Sequence, residues 1–143
     1  MTRDLLTRLD TRTVLVCDDR KELRVAIGDL LAQLPAFVVV GFAVDATTCL
    51  DGVRAWRPDI LILDVNMPGG GPGVAAAAKG ICPNLHIVVF SGHHDDIVRR
   101  GMLAAGADQY VVKTGRLSPL IQALRRAHDG PSRDQGRPAA GRG

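Results

Sequence analysis

A three-layer α/β sandwich, built on a doubly wound five-stranded parallel sheet, is the fold class this sequence predicts, and three observations carry it. Five short apolar runs rich in β-branched residues recur along the chain, each about as long as a buried parallel strand: 13–17 (TVLVC), 37–43 (FVVVGFA), 60–63 (ILIL), 87–90 (IVVF) and 110–112 (YVV). Helix-like segments separate them, and that alternation implies βαβ units covered on both faces. The chain also has 143 residues, 46% apolar and only 3% aromatic, enough for one core and too little for a multidomain enzyme.

The helices follow in order. Segment 21–34 places Leu23, Ile27, Leu30, Leu31 and Leu34 on one stripe and is stopped by Pro35. Segment 47–56 starts from Asp45 or Thr47, turns Leu50 and Val53 inward, and must end before Pro58. Segment 74–79 is Ala-rich after a GGGPG loop and predicts a short helix. Segment 95–105 carries Gly101 in its interior, at a cost of about 1 kcal/mol relative to Ala, and so predicts the loosest helix. Ser118-Pro119 reads as an N-cap followed by Pro at the first helical position, with the helix running to His128 before Gly130-Pro131. Residues 12–129 form one expected domain after a charged lead, 1–11. The tail, 130–143, is expected to be disordered because its Gly/Pro/Arg composition cannot offset its ordering entropy.

Charge and cysteine content exclude several classes. The net charge is +3, but Arg133, Arg137 and Arg142 against Asp134 place +2 after Pro131, leaving about +1 on the globular part. Cys17, Cys49 and Cys82 lack any C-x-x-C spacing, so neither a zinc site nor a disulfide framework is indicated, and they are expected to be reduced thiols. The charged start, MTRDLLTRLDTR, has no signal-peptide core, and no stretch reaches roughly 18 apolar residues, so the expectation is a cytoplasmic protein that makes no membrane contact.

In an open parallel sheet, ligands bind at the carboxyl ends of the strands. The first run ends in Asp18-Asp19, the third in Asp64, the fourth in Ser91 and the fifth in Lys113. Three carboxylates crowded at one edge repel each other unless a cation neutralises them, and oxygen-only ligands favour Mg²⁺, or Mn²⁺, over zinc. Lys113 and Ser91 are placed to hold phosphoryl oxygens, while Asp64, ionised without a general base, is the expected nucleophile.

With those residues in that order, the sequence resembles the receiver domain of two-component response regulators over about 11–128. The resemblance rests on Asp18-Asp19 after the first strand, Asp64 in DVNMP, Ser91 after the fourth strand, and Tyr110 three residues before Lys113. It implies a flavodoxin-like strand order 2-1-3-4-5, Asp64 as phosphoacceptor from a sensor histidine kinase, Asp18 and Asp19 as metal-binding acids, and the Asn66 backbone carbonyl as a further Mg²⁺ ligand. It further implies that Ser91 and Tyr110 move on activation, switching a face formed by the fourth helix, fifth strand and fifth helix toward a downstream partner or a homodimer. Lys-Thr-Gly and DVNMPGG resemble receivers attached to helix-turn-helix output domains. Two positions depart from the pattern: Thr114 stands where a Pro, frequently with a cis peptide, often follows the lysine, and Pro72 followed by Gly73 stands where a Gly is expected, which shifts the start of the third helix.

Blander readings exist for each residue. The acid pair could cap the next helix, Ser91 could satisfy a strand end, and Lys113 could be a solvated cation; each weakens beside the others. His93 and His94 are expected to be solvent-exposed, with His93 at a position that tunes phosphoryl lifetime in receivers. Cys17 is expected to be strand packing and Trp56 a helix-end anchor. The function expected is a receiver acting through a partner, with no enzymatic turnover beyond Asp64 itself and no direct DNA binding. The alternatives are the receiver part of a longer DNA-binding regulator and a phosphorylation-independent pseudo-receiver. A metal-dependent phosphatase would want an acid two residues after Asp64, where Asn66 stands, and nucleic-acid binding by the tail would rest on three arginines alone.

Overall fold

The computed structural model describes residues 10–130; the expected tail beyond Gly130 and most of the lead lie outside the described residues. Five strands form one parallel sheet in the order β2-β1-β3-β4-β5: β1 (Arg12–Cys17), β2 (Phe37–Ala43), β3 (Ile60–Leu63), β4 (His86–Ser91) and β5 (Gln109–Val112). Five helices connect and flank them: α1 (Lys21–Ala32), α2 (Ala46–Trp56), α3 (Pro72–Ile81), α4 (Asp96–Ala104) and α5 (Ser118–Asp129).

Period-two alternation along the strands sorts the core into two layers. Val14, Val16, Ile60, Ile62, Val88 and Phe90 face α1 and α5, whereas Leu15, Cys17, Leu61, Leu63, Ile87 and Val89 face α2, α3 and α4. All four residues of β3 are buried, so the strand that delivers Asp64 is the most enclosed in the sheet. Burying a side chain such as Leu61 contributes roughly 1.5–3 kcal/mol. The β1–β2 register slips at Val40, after which Gly41 pairs with Leu15; Gly41 lies under the Trp56 ring, which leaves no room there for a Cβ. Trp56 thus anchors the end of α2 as expected, with its outer side half exposed.

The boundaries differ from the sequence reading in instructive ways. α1 ends at Ala32 because Gln33 and Leu34 form i→i−3 bonds to Leu30 and Leu31. α2 starts at Ala46 under an Asp45 capping box, in which the Thr48 amide donates to Asp45 Oδ1 at 2.8 Å. α3 is longer than 74–79 and starts two residues earlier, since Pro72 tolerates the first helical position. At α5 the cap is Leu117, not Ser118, with no side-chain bond to the helix; Ser118 is already helical. α4 buries only Met102 fully, and Gly101 has open space beside it apart from Pro72 Cγ at 3.7 Å from an added Cβ. The Lys113–Thr114 peptide is trans, like all those described. None of the described helices is long and apolar enough to cross a membrane.

Candidate functional site

β1 and β3 are neighbours, so their carboxyl ends deliver Asp18 and Asp64 side by side. The ladder holds the backbone there: the Asp64 amide donates to the Cys17 carbonyl at 3.0 Å, and the Asp18 amide to Ala43 at 3.0 Å. Asp18, Asp19 and Asp64 each place one carboxylate oxygen within 4.8 Å of the others; Asp18 and Asp64 are buried and Asp19 is exposed.

Two cations restrain this acid cluster. Lys113, on the loop leaving β5, sends Nζ to Asp18 Oδ2 at 2.9 Å and to within 3.5 Å of Asp64 Oδ1. Arg24, one turn into α1, donates to the Asp18 carbonyl at 2.9 Å. Asp18 Oδ1 accepts from the Arg20 amide at 2.9 Å, and Asp64 Oδ1 from the Asn66 amide at 3.1 Å. Asp64 Oδ2 is buried and has no hydrogen-bond partner among the described residues. Burial pushes the Asp64 carboxyl above the usual carboxylate range; Asp18 pushes the same way, and the Asn66 amide and Lys113 oppose it. A buried, under-neutralised cluster with a spare oxygen and only oxygen donors fits a hard divalent cation.

Ser91 is fully buried at the end of β4, and its Oγ accepts from the His93 amide at 3.2 Å. The Lys113 amide donates to the Ser91 carbonyl at 2.7 Å, which ties the β4 and β5 ends together. Half-buried Tyr110 donates from its hydroxyl to the His93 carbonyl at 3.1 Å. Asp18, Asp19, Asp64, Asn66, Ser91, Tyr110 and Lys113 therefore gather at one sheet edge. His93 is exposed, as expected, yet its Nε2 lies 2.6 Å from Asn66 Oδ1, bridging the loops after β3 and β4. That contact and the Arg24 bond were not foreseen; the available signals were that Asn66 and His93 each stand two residues past a site residue, and that Arg24 lies one turn beyond Arg20. Cys17 is fully buried strand packing, with its thiol pushed up by burial and by contact with Cys49.

A family model described as the response regulator receiver domain matches residues 14–125. The chain is 34% identical over 119 residues to the response regulator GacA of Pseudomonas aeruginosa, covering 82% of this chain and 55% of that one. It therefore spans about half the length of that relative. Among solved structures, a LuxR-family two-component response regulator from an Aurantimonas species superposes with a TM-score of 0.79 at 27% identity, over 85% of this chain and 88% of that one. RcsB from Salmonella enterica serovar Typhimurium, bound to a promoter with the phosphomimetic BeF₃⁻, superposes with a TM-score of 0.74 at 25% identity, over 80% of this chain and 66% of that one.

Proposed function

The chain belongs to the response regulator receiver domain family, and on that premise we propose that Asp64 takes a phosphoryl group from a sensor histidine kinase and that Ser91 and Tyr110 convey its presence to the surface. The observation that carries this reading is buried Asp64, whose Oδ2 has no hydrogen-bond partner among the described residues while its Oδ1 lies 3.5 Å from the Lys113 ammonium.

In the transfer, an Asp64 oxygen forms a bond to phosphorus while the phosphorus–nitrogen bond of the donor phosphohistidine breaks, leaving its electron pair on the imidazole. Ionised Asp64 needs no general base, so positioning and charge neutralisation supply the catalysis. Lys113 steadies the developing charge from one side, and the Ser91 hydroxyl is a donor for a phosphoryl oxygen. Asp18, Asp19, Asp64 and the Asn66 backbone carbonyl would hold Mg²⁺, or Mn²⁺, which when bound neutralises the acid cluster and the transferring oxygens. The covalent chemistry is confined to Asp64, with no turnover of a separate substrate, and its place is the cytoplasm.

Ser91 and Tyr110 both bond to His93, one to its amide and the other to its carbonyl. A Ser91 hydroxyl drawn toward a phosphoryl group would release the His93 amide and with it the seat of Tyr110. The face of α4, β5 and α5 would then rearrange toward a downstream protein or a second copy. The length of GacA, together with the promoter-bound state of RcsB, supports a second reading of the whole protein, a DNA-binding regulator of which this chain is the receiver; the mass of the endogenous protein decides it.

The test is intact mass after incubation with Mg²⁺ and acetyl phosphate. A gain of one phosphoryl group, absent with EDTA and in Asp64→Asn, is the expected result. No gain with acetyl phosphate or with several histidine kinases overturns the reading.

A further inference from the structure

A groove of about 310 Å³ runs between α1 and the loop from β5 to α5, beside the acid cluster. Its floor is apolar, made by Leu23, Ala26, Phe90 and Leu117, and its rim carries Arg20 and Arg116. Among the described residues, no carboxylate lines it. Among the described residues neither rim guanidinium has an acidic partner, whereas nearby Arg24 is committed to the Asp18 carbonyl. Lys113 also borders the groove, but its ammonium is engaged by Asp18 and Asp64, so its stem acts as a wall. Gly115, at φ +89°, turns the loop that forms the lip, a backbone conformation other residues adopt poorly.

An apolar floor bordered by two cations that have no acidic partner among the described residues selects for a particular chemistry. A bare inorganic anion leaves the floor wet, and a neutral apolar molecule covers guanidinium groups without satisfying them. The volume sits at the small end of the range for ligand pockets, about 300–1,000 Å³, which limits the occupant to a body of one or two rings. We propose that this groove is a binding site for a small amphipathic anion, an organic carboxylate or phosphate whose apolar body rests on Leu23, Phe90 and Leu117 while Arg20 and Arg116 hold its head. The site does not depend on the phosphoacceptor reading, because its anion-holding groups lie outside the acid cluster. With Lys113 as the shared wall, occupancy is a second input beside the phosphorylation site.

The experiment titrates the ¹⁵N-labelled protein, in EDTA, with 2-naphthoate and separately with 1-naphthyl phosphate, which distinguishes a carboxylate from a phosphate preference. The neutral 2-naphthalenemethanol and the cationic 2-naphthylmethylamine are controls. Saturable amide shifts at Leu23, Gly115, Arg116 and Leu117 are expected with either anion, unchanged in Asp64→Asn and at least about tenfold weaker in the double variant Arg20→Gln/Arg116→Gln. Both arginines are exposed, so the variant's spectrum elsewhere should match the wild type. No saturable shift with either anion up to about 10 mM, equal binding of the neutral or cationic control, or undiminished binding in the double variant overturns the proposal.

Discussion

Asp64→Asn should make the metal-free protein more stable at neutral pH, although it deletes a charge 3.5 Å from Lys113. At an effective dielectric of about 20, the Lys113 contact is worth about 4.7 kcal/mol of attraction. Asp18 lies no more than 4.8 Å away and repels by at least about 3.5 kcal/mol on the same scale, with a smaller, solvent-screened share from exposed Asp19. The charge terms therefore nearly cancel, and the burial of Asp64, whose Oδ2 has no hydrogen-bond partner, decides the sign. Relief of that penalty is worth about 1–3 kcal/mol, or roughly 3–10 °C in melting temperature. Because the folded pKa is raised above the unfolded value of about 3.9, native and unfolded wild type are alike in protonation below that value, and the penalty grows as pH rises through the folded pKa. The gain in Asp64→Asn should thus be complete at neutral pH and absent below about pH 3.9. Paired urea or thermal melts in EDTA at several pH values measure it, and added Mg²⁺ should narrow the gap by stabilising the wild type more. A variant less stable than wild type at neutral pH, or a gain that persists unchanged at pH 3.5, would refute the reasoning.

Other substitutions probe the frame that holds the site. Gly70→Ala would set a Cβ 2.8 Å from the carbonyl oxygens of Asp64 and Val65, so a loss of about 1–3 kcal/mol in urea melts and weaker Mg²⁺ binding by titration calorimetry are expected. Gly101→Ala, with space for the methyl group in α4, should stabilise by about 0.5–1 kcal/mol, read as a raised melting temperature. Asp59→Ala removes the acceptor of the Thr13 amide at 2.8 Å and the Thr13 hydroxyl at 3.2 Å, and should cost about 1–3 kcal/mol in a denaturant titration. Cys17, Cys49 and Cys82 are all buried and, with the Cys17 thiol pushed up, should react with Ellman's reagent only as fast as the protein opens; rapid labelling of the native protein would contradict their burial.

How much of this was legible in the sequence depends on the distance over which each feature is decided. The strand interiors were plain because runs such as ILIL are apolar on both faces, as a strand covered from two sides must be. Strand ends were less so: Arg12, His86, Ser91 and Gln109 join the ladder through their backbones, to which side-chain polarity is no guide. The same separation explains the caps, where Ser118-Pro119 satisfied a local rule but the chain entered α5 one residue earlier, through Leu117. The acid cluster and Lys113 could be assembled on paper because parallel strands present their carboxyl ends at one edge, so topology alone brings residues 95 positions apart to 2.9 Å. The His93–Asn66 bridge and the basic groove follow a different rule. Each depends on how far two loops or a helix and a loop lean toward each other beyond the sheet, and Arg20 and Arg116 offer no pattern in the sequence to mark them as neighbours. Chemistry anchored to strand ends was therefore readable in advance, while the features that would set access, selectivity and further inputs emerged only from the packing of α1 and the β4–α4 and β5–α5 loops around that edge.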